Sequence, residues 1–165
     1  MPAINKKQLF IGLSGLFIGL LVYFIDRPPG DTYLVSEISG GISFYNIIPV
    51  LFGPIGFVLP AFIHVFSFSL ITSGLLGCGK KGALVVCLSW LAVNCAFELG
   101  QKFKILAISL IPESYTINPF LEVCRNYFKS GVFDIYDLIA IVLGATVAYL
   151  TMSLTVQRRE NNEYQ

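Results

Sequence analysis

The chain has 165 residues, of which 55% are hydrophobic and only 13% are charged, with a net charge of +1. An average soluble domain carries roughly 25% charged residues, because most of its folded surface faces water. This composition excludes an ordinary soluble domain of this length and favours one membrane domain spanning residues 1–165. Since no basic patch stands out, nucleic acid is not expected as a partner.

The first apolar stretch covers residues 8–25, enough to cross a hydrocarbon core of ~30 Å at ~1.5 Å per residue. It follows Lys6 and Lys7, as the apolar part of a secretory signal peptide would. However, it ends in Asp26-Arg27-Pro28-Pro29, and no small-residue cleavage site precedes that break. We therefore interpret it as an uncleaved transmembrane helix, followed by a polar loop that reaches about Gly41.

The next apolar stretch, from Ile42 to Gly77, is too long for one simple span. Gly53-Pro54 and Pro60 divide it. The pattern predicts an interfacial or re-entrant segment at residues 43–52 and a second transmembrane helix at residues 55–76. Pro60 would then occupy the first turns of that helix, where proline is best tolerated.

Two further apolar stretches in the second half of the sequence predict two more transmembrane helices. A third helix is expected at residues 83–101 and a fourth at residues 134–154. Between them, the apolar patch at residues 105–111 is too short to span a bilayer and is expected at the interface or folded over the other helices. The fold class is therefore all-α: a polytopic membrane protein built as a four-transmembrane-helix bundle.

The distribution of positive charge predicts the orientation of this bundle. Lysine and arginine close to helix ends favour the cytoplasmic side of the membrane. With the N-terminus inside, the residues on that side are Lys6, Lys7, Lys80, Lys81, Arg158 and Arg159. The opposite loops hold five cations and also almost all the acids. Both termini are accordingly expected on the cytoplasmic side.

Several ionisable side chains lie within or at the edges of these spans. An aspartate at the centre of a membrane helix costs ~2.5–3.5 kcal/mol on insertion scales, so such residues need partners, water or a function. By helical rise, Glu98 lies ~25 Å from Lys81, close to the outer interface. The same reasoning brings five side chains together in the outer half of the bundle: His64, Glu98, Gln101, Asp134 and Asp137.

Helical spacing assigns these residues to two faces. Asn94, Glu98 and Gln101 share one face of the third helix, while Asp134 and Asp137 share a face of the fourth. Opposed carboxyl groups beside a histidine can act as a general acid and base or bind a cation. This hypothesis makes three residues catalytic, namely Glu98, Asp134 and His64. It makes three others binding residues, namely Gln101, Asp137 and Asn94.

Each of these residues also has a structural alternative. Asp134 can cap the fourth helix, with Asp137 favoured by the helix dipole in the first turn. His64 can hydrogen-bond a neighbouring helix, and Glu98 can form an interfacial ion pair with Lys102, one turn further on. The four cysteines and single histidine show no metal-ligand spacing, so neither a metal nor a cofactor is predicted.

Three short segments follow one another over residues 59–149: Leu59-Pro60-x-x-x-His64-x-x-x-Phe68, Phe97-Glu98-Leu99-Gly100-Gln101, and Gly131-Val132-Phe133-Asp134-x-x-Asp137. The chain resembles the VanZ-like family of small bacterial membrane proteins. The family pattern has a histidine on one helix, Glu-x-x-Gln on the next, and a segment like the third one here at the start of the last helix. Val132 replaces the threonine usual in that family, and Ile141 stands where many members carry asparagine.

The resemblance implies a multi-pass protein of the bacterial cytoplasmic membrane that acts in the cell envelope. The family is named after a member associated with resistance to a glycopeptide antibiotic, and the resemblance supplies no reaction, so the enzyme question stays open. We expect membrane lipids as partners, and a lipid-linked envelope precursor or another amphiphile as the ligand. The alternatives are a non-catalytic accessory or scaffold protein and a proton- or cation-coupled transporter component.

Overall fold

The computed structural model describes residues 3–28, 43–112 and 119–163. All regular secondary structure in these ranges is helical. The predicted polar loop that leads to Gly41 lies outside the described residues. Four helices are long and apolar enough to span a membrane, with 21, 18, 23 and 22 residues and mean hydropathies between 1.7 and 2.1. The all-α class and the four candidate spans are therefore confirmed, while the cytoplasmic placement of both termini stays a prediction.

The first helix, α1, runs from Lys6 to Leu21 and continues as a wider π-helical turn over Val22–Asp26. Asn5 starts it, because its side-chain oxygen accepts a hydrogen bond of 3.3 Å from the backbone N–H of Gln8. This cap explains why the helix begins two residues before the predicted 8–25. The π turn was not predicted, since a hydrophobic pattern does not distinguish it from a regular turn.

The second apolar stretch is divided as its glycine and proline residues predict. Residues 43–52 form irregular turns, and Gly53–Phe57 forms a 3₁₀ helix. Helix α2 then covers Leu59–Leu76, four residues later than the predicted start, because the 3₁₀ turn occupies the positions before it. It ends at Gly77, whose φ of 59° is a left-handed conformation that glycine adopts without strain.

Four more helices complete the described chain. Helix α3 covers Lys80–Lys102. Helix α4 covers Lys104–Ser109 and so overlaps most of the apolar patch predicted at residues 105–111. Helix α5, Pro119–Ser130, was not predicted. Helix α6 runs from Ile135 to Glu163, so its C-terminal end lies well beyond the predicted residue 154.

Helix α2 occupies the centre of the packing and contacts α1, α3 and α6. Close approach depends on small residues on both neighbours. A Cβ atom added at Gly12 of α1 would lie 2.9 Å from the backbone oxygen of Ser67 in α2. A Cβ atom added at Gly144 of α6 would lie 2.5 Å from the backbone oxygen of Phe62 in α2. One core cluster, between α2, α3 and α6, is formed by Leu70, Ala83, Cys87, Ala148 and Met152.

The contacts place the C-terminal ends of α1 and α3 beside the N-terminal ends of α2 and α6. This common end of the four helices is called the Glu98 end below. Short helices α4 and α5 also lie there and pack against each other and against α3.

Candidate functional site

Among the acidic side chains that the structure describes, Glu98 is the most buried, with 5% of its surface exposed. Its Oε1 atom accepts a hydrogen bond of 2.9 Å from the backbone N–H of Asp134, at the entrance to α6. Its Oε2 atom accepts one of 3.2 Å from Gln101 Nε2. Lys102, the alternative ion-pair partner, lies instead 5.0 Å from the ring centroid of Phe133. Glu98 thus connects the end of α3 to the start of α6.

Gln101 extends this connection to α5. Its Nε2 atom also donates a hydrogen bond of 2.6 Å to the phenolic oxygen of Tyr127. A Cβ atom at Gly131 would lie 2.5 Å from Gln101 Oε1, so only glycine fits beside this amide. Burial and the nearby Glu98 carboxylate raise the pKa of Tyr127 to about 12. The Tyr127 phenol therefore keeps its proton at neutral pH and can donate it in a further hydrogen bond.

The two aspartates at the start of α6, Asp134 and Asp137, have different structural roles. The Oδ1 atom of Asp134 accepts a hydrogen bond of 2.9 Å from the backbone N–H of Tyr136, which is the helix-capping arrangement. Asp137 lies in the first turn and is half-buried. Its carboxyl group is close enough to Glu98, Asp134 and Arg27 to interact with their charges. Within the described residues, no donor forms a hydrogen bond to this carboxyl group.

Two residues that sequence analysis did not predict, Tyr23 and Arg27, complete this region from α1. Arg27 follows the π turn, and its guanidinium carbon lies 5.5 Å from the ring centroid of Tyr23. Its Nη2 atom donates hydrogen bonds to the backbone oxygens of Phe57, at 2.7 Å, and Gly56, at 3.3 Å. The Tyr23 phenol interacts electrostatically with both Arg27 and Asp137. An arginine directly after an apolar run was the available sequence signal.

The structure does not bring His64 and Asn94 into this group. The ring of His64 packs against Phe68 at a centroid distance of 5.9 Å, and the side chain forms no hydrogen bond with the described residues. Asn94 Nδ2 donates a hydrogen bond of 2.8 Å to the Trp90 backbone oxygen in its own helix. Both side chains are therefore used in contacts within α2 and α3.

The residues that do come together are called the polar cluster here: Tyr23, Arg27, Glu98, Gln101, Tyr127, Asp134 and Asp137. Three carboxyl groups, one guanidinium and two phenols meet at the ends of four helices. In the described part of the chain, no group of three or more His, Cys, Asp or Glu side chains is arranged to hold a metal ion. The carboxyl and phenol groups of the cluster suit proton exchange, and its carboxylates suit binding of a cationic or hydroxyl-bearing head group.

The hydrogen bonds distinguish between the carboxyl groups of the polar cluster. Both oxygens of Glu98 already accept internal hydrogen bonds, and one oxygen of Asp134 caps α6. Among the described residues, Asp137 is the one of these three carboxyl groups for which neither oxygen accepts a hydrogen bond, so it has the largest capacity to bind a ligand. Comparison of the chain with protein-family models, with curated proteins and with solved structures finds no match.

Proposed function

We propose that this chain is a VanZ-like integral membrane protein of the bacterial cell envelope, and that it binds or processes a lipid-linked or amphiphilic molecule at the polar cluster. The four long apolar helices would form a transmembrane bundle with both termini in the cytoplasm, which places the Glu98 end on the outer side. Two of the three segments that resemble the family supply Glu98, Gln101, Asp134 and Asp137, the acidic and amide groups of the cluster.

The observation that carries this proposal is the half-buried carboxyl group of Asp137, which accepts no hydrogen bond from the part of the chain that the structure describes. Buried ionisable groups at membrane depth are expensive, and those that are not consumed by internal contacts are candidates for function. In this proposal Asp137 accepts a proton from the ligand or anchors the ligand's polar head group. Tyr127 donates a hydrogen bond to the same head group. Glu98 and Gln101 are positioning residues in this proposal, whereas the hypothesis from the sequence made Glu98 a catalytic residue and Gln101 a binding residue.

The test is native mass spectrometry of the purified protein after exposure to a bacterial lipid extract. We expect the wild type to retain a discrete lipid that Asp137→Asn does not retain. Glu122→Gln is the matched control, because Glu122 is an exposed carboxylate in the first turn of α5. A ligand of changed mass on the wild type would identify an enzyme. Equal, nonspecific lipid adducts on all three proteins would contradict the proposal.

One observation favours a second candidate, a non-catalytic accessory or scaffold protein. Glu98, Gln101 and Asp134 form hydrogen bonds that join α3, α5 and α6, and such bonds serve helix association in any membrane protein. Normal cellular function after joint neutralisation of Glu98, Asp134 and Asp137 would support this candidate.

A transporter component remains the third proposal. Four spans are few for an alternating-access transporter unless the protein oligomerises. A strictly monomeric protein in the bilayer would therefore contradict a transport role.

A further inference from the structure

A second candidate binding region lies at the Glu98 end, outside the polar cluster. Helices α3, α4 and α5 enclose a groove of about 380 Å³, within the range of ~300–1,000 Å³ usual for small-molecule sites. Its lining is apolar and includes Leu99, Gly100, Phe103, Leu106, Leu110 and Phe128. The α3 residues of this lining lie on a different face from Glu98 and Gln101, so the groove is separate from the polar cluster.

The described residues leave the groove open to its surroundings. Leu106 is 60% exposed and Leu110 is 74% exposed. Its floor is fixed, because the ring of Phe128 stacks on Phe97 at a centroid distance of 5.6 Å and covers Gly100. A preformed apolar groove of this kind suits a hydrocarbon chain.

Positive charge borders the groove. Lys104 Nζ lies 3.5 Å from the backbone oxygen of Lys129, so these two lysines are neighbours although 25 residues separate them. Lys129 follows the groove residue Phe128 in α5, and Lys104 follows Phe103 in the chain. Lys102 adds a third cation, with Nζ 6.0 Å from the Phe103 ring centroid. Three lysines, Lys102, Lys104 and Lys129, are thus adjacent in sequence or in space to residues of the apolar lining.

We propose that this groove holds an acyl chain of an anionic phospholipid, with the phosphate facing Lys104 and Lys129. The apolar lining matches the acyl chain of such a lipid, and the neighbouring lysines match the anionic phosphate to which that chain is joined through glycerol. An apolar peptide would leave the lysines without a counter-charge. A lipid with a zwitterionic head group would match them less well, because its own cation opposes theirs. This site is independent of the function proposed for the polar cluster.

The head-group requirement is tested with equimolar dioleoyl phosphatidylglycerol and dioleoyl phosphatidylcholine in mixed micelles. Native mass spectrometry then measures which lipid the protein retains as detergent is removed. We expect preferential retention of one phosphatidylglycerol. The Lys104→Gln/Lys129→Gln double variant should lose about fivefold in retention for each lysine removed. Equal retention of the two lipids by the wild type would overturn the proposal.

The matched control for charge is the Lys80→Gln/Lys81→Gln double variant, which removes two cations from the other end of α3. It should retain phosphatidylglycerol as the wild type does. Asp137→Asn should also retain it, so failure at the polar cluster and failure at this groove give different results. Loss of the lipid in the Lys80→Gln/Lys81→Gln variant would show that net charge, rather than the groove, selects the lipid and would refute the site.

The requirement for an acyl chain is tested by filling the groove with Ala107→Trp, since Ala107 is part of its lining. Ala92→Trp, on an exposed position of α3, is the matched control. Only Ala107→Trp should lose the retained lipid, with unchanged circular dichroism and elution volume. If Ala107→Trp does not fold, the wild type decides the question. The wild type should retain dioleoyl phosphatidylglycerol and release a phosphatidylglycerol whose two acyl chains have six carbons each. Equal retention of these two lipids would overturn the proposal.

Discussion

Glu98 and Asp137 both carry a carboxyl group, but their surroundings give the two groups different roles. Glu98 is almost fully buried, and each of its oxygens accepts a hydrogen bond, one from Gln101 in its own helix and one from the Asp134 backbone at the start of α6. Asp137 is half-buried and accepts no side-chain hydrogen bond from the described residues, although three other charges surround it. A carboxylate whose hydrogen bonds are all internal stabilises the fold, whereas one with open capacity can bind a ligand.

This difference predicts opposite results for two isosteric substitutions. In Glu98→Gln, the new amide cannot accept from both Asp134 N–H and Gln101 Nε2, so one charge-assisted hydrogen bond is lost. We expect a destabilisation of about 1.5–3 kcal/mol, measured as a lower thermal unfolding midpoint in detergent. Asp137→Asn should unfold within about 0.5 kcal/mol of the wild type while losing the ligand. Equal midpoints for the two variants would contradict this division of roles.

The sequence was sufficient to group Glu98, Gln101, Asp134 and Asp137, because helical spacing and an antiparallel order of spans bring them together. It was not sufficient to separate them by role, which depends on hydrogen bonds to backbone atoms of other segments. His64 was grouped with them on depth alone, and depth does not specify which neighbour a side chain faces. Arg27 was read as a helix stop, since the π turn that positions it is invisible in a hydrophobic pattern.

At the scale of the helices, long apolar segments were predictable and short amphipathic ones were not. The four candidate spans follow from runs of about 20 apolar residues. Helix α5 mixes apolar Leu121, Cys124 and Phe128 with charged Glu122 and Lys129. An amphipathic segment of 12 residues is stable as a helix only where its apolar face is covered. That cover is the contact of Tyr127 and Phe128 with Phe97, which the sequence does not reveal.

The contact between α1 and α2 gives a prediction at this scale. A Cβ atom at Gly15 would collide with Ser67 Oγ. Alanine raises helix stability over glycine by roughly 0.5–1 kcal/mol, so any loss of stability in Gly15→Ala reports on packing alone. We expect a net destabilisation of about 1–3 kcal/mol, measured by thermal unfolding in detergent. Gly79→Ala is the control, since nothing lies within 4 Å of its added Cβ and its φ is −76°. A stabilised Gly15→Ala would disprove the close contact.

At the scale of the whole molecule, the orientation in the membrane can be measured with the native cysteines. Cys78 lies in the turn between α2 and α3, while Cys124 lies in α5 at the Glu98 end. If both termini are cytoplasmic, a membrane-impermeant maleimide should label Cys124 in intact cells and Cys78 only after permeabilisation. Each single-cysteine variant reports on one side.

The pH dependence of this labelling has a defined sign. Burial raises the pKa of the Cys124 thiol, so less of it is thiolate at neutral pH and its labelling should become faster as the pH rises. Labelling at pH 8 is therefore preferred. The reverse pattern, with Cys78 labelled in intact cells and Cys124 protected, would invert the proposed topology and place the polar cluster in the cytoplasmic half.

The glycine face of α1 also bears on stoichiometry. Gly12, Gly15 and Gly19 are the surface through which a membrane helix could closely approach a second copy, and all three are occupied by α2 of the same chain. The exposed positions of α6 include bulky residues such as Val142, whereas α3 exposes Leu88 together with the small residues Ser89, Ala92 and Ala96. The packing of α1 on α2 therefore occupies this glycine face within one chain, so a second copy of the protein would approach through other small residues, such as those exposed on α3.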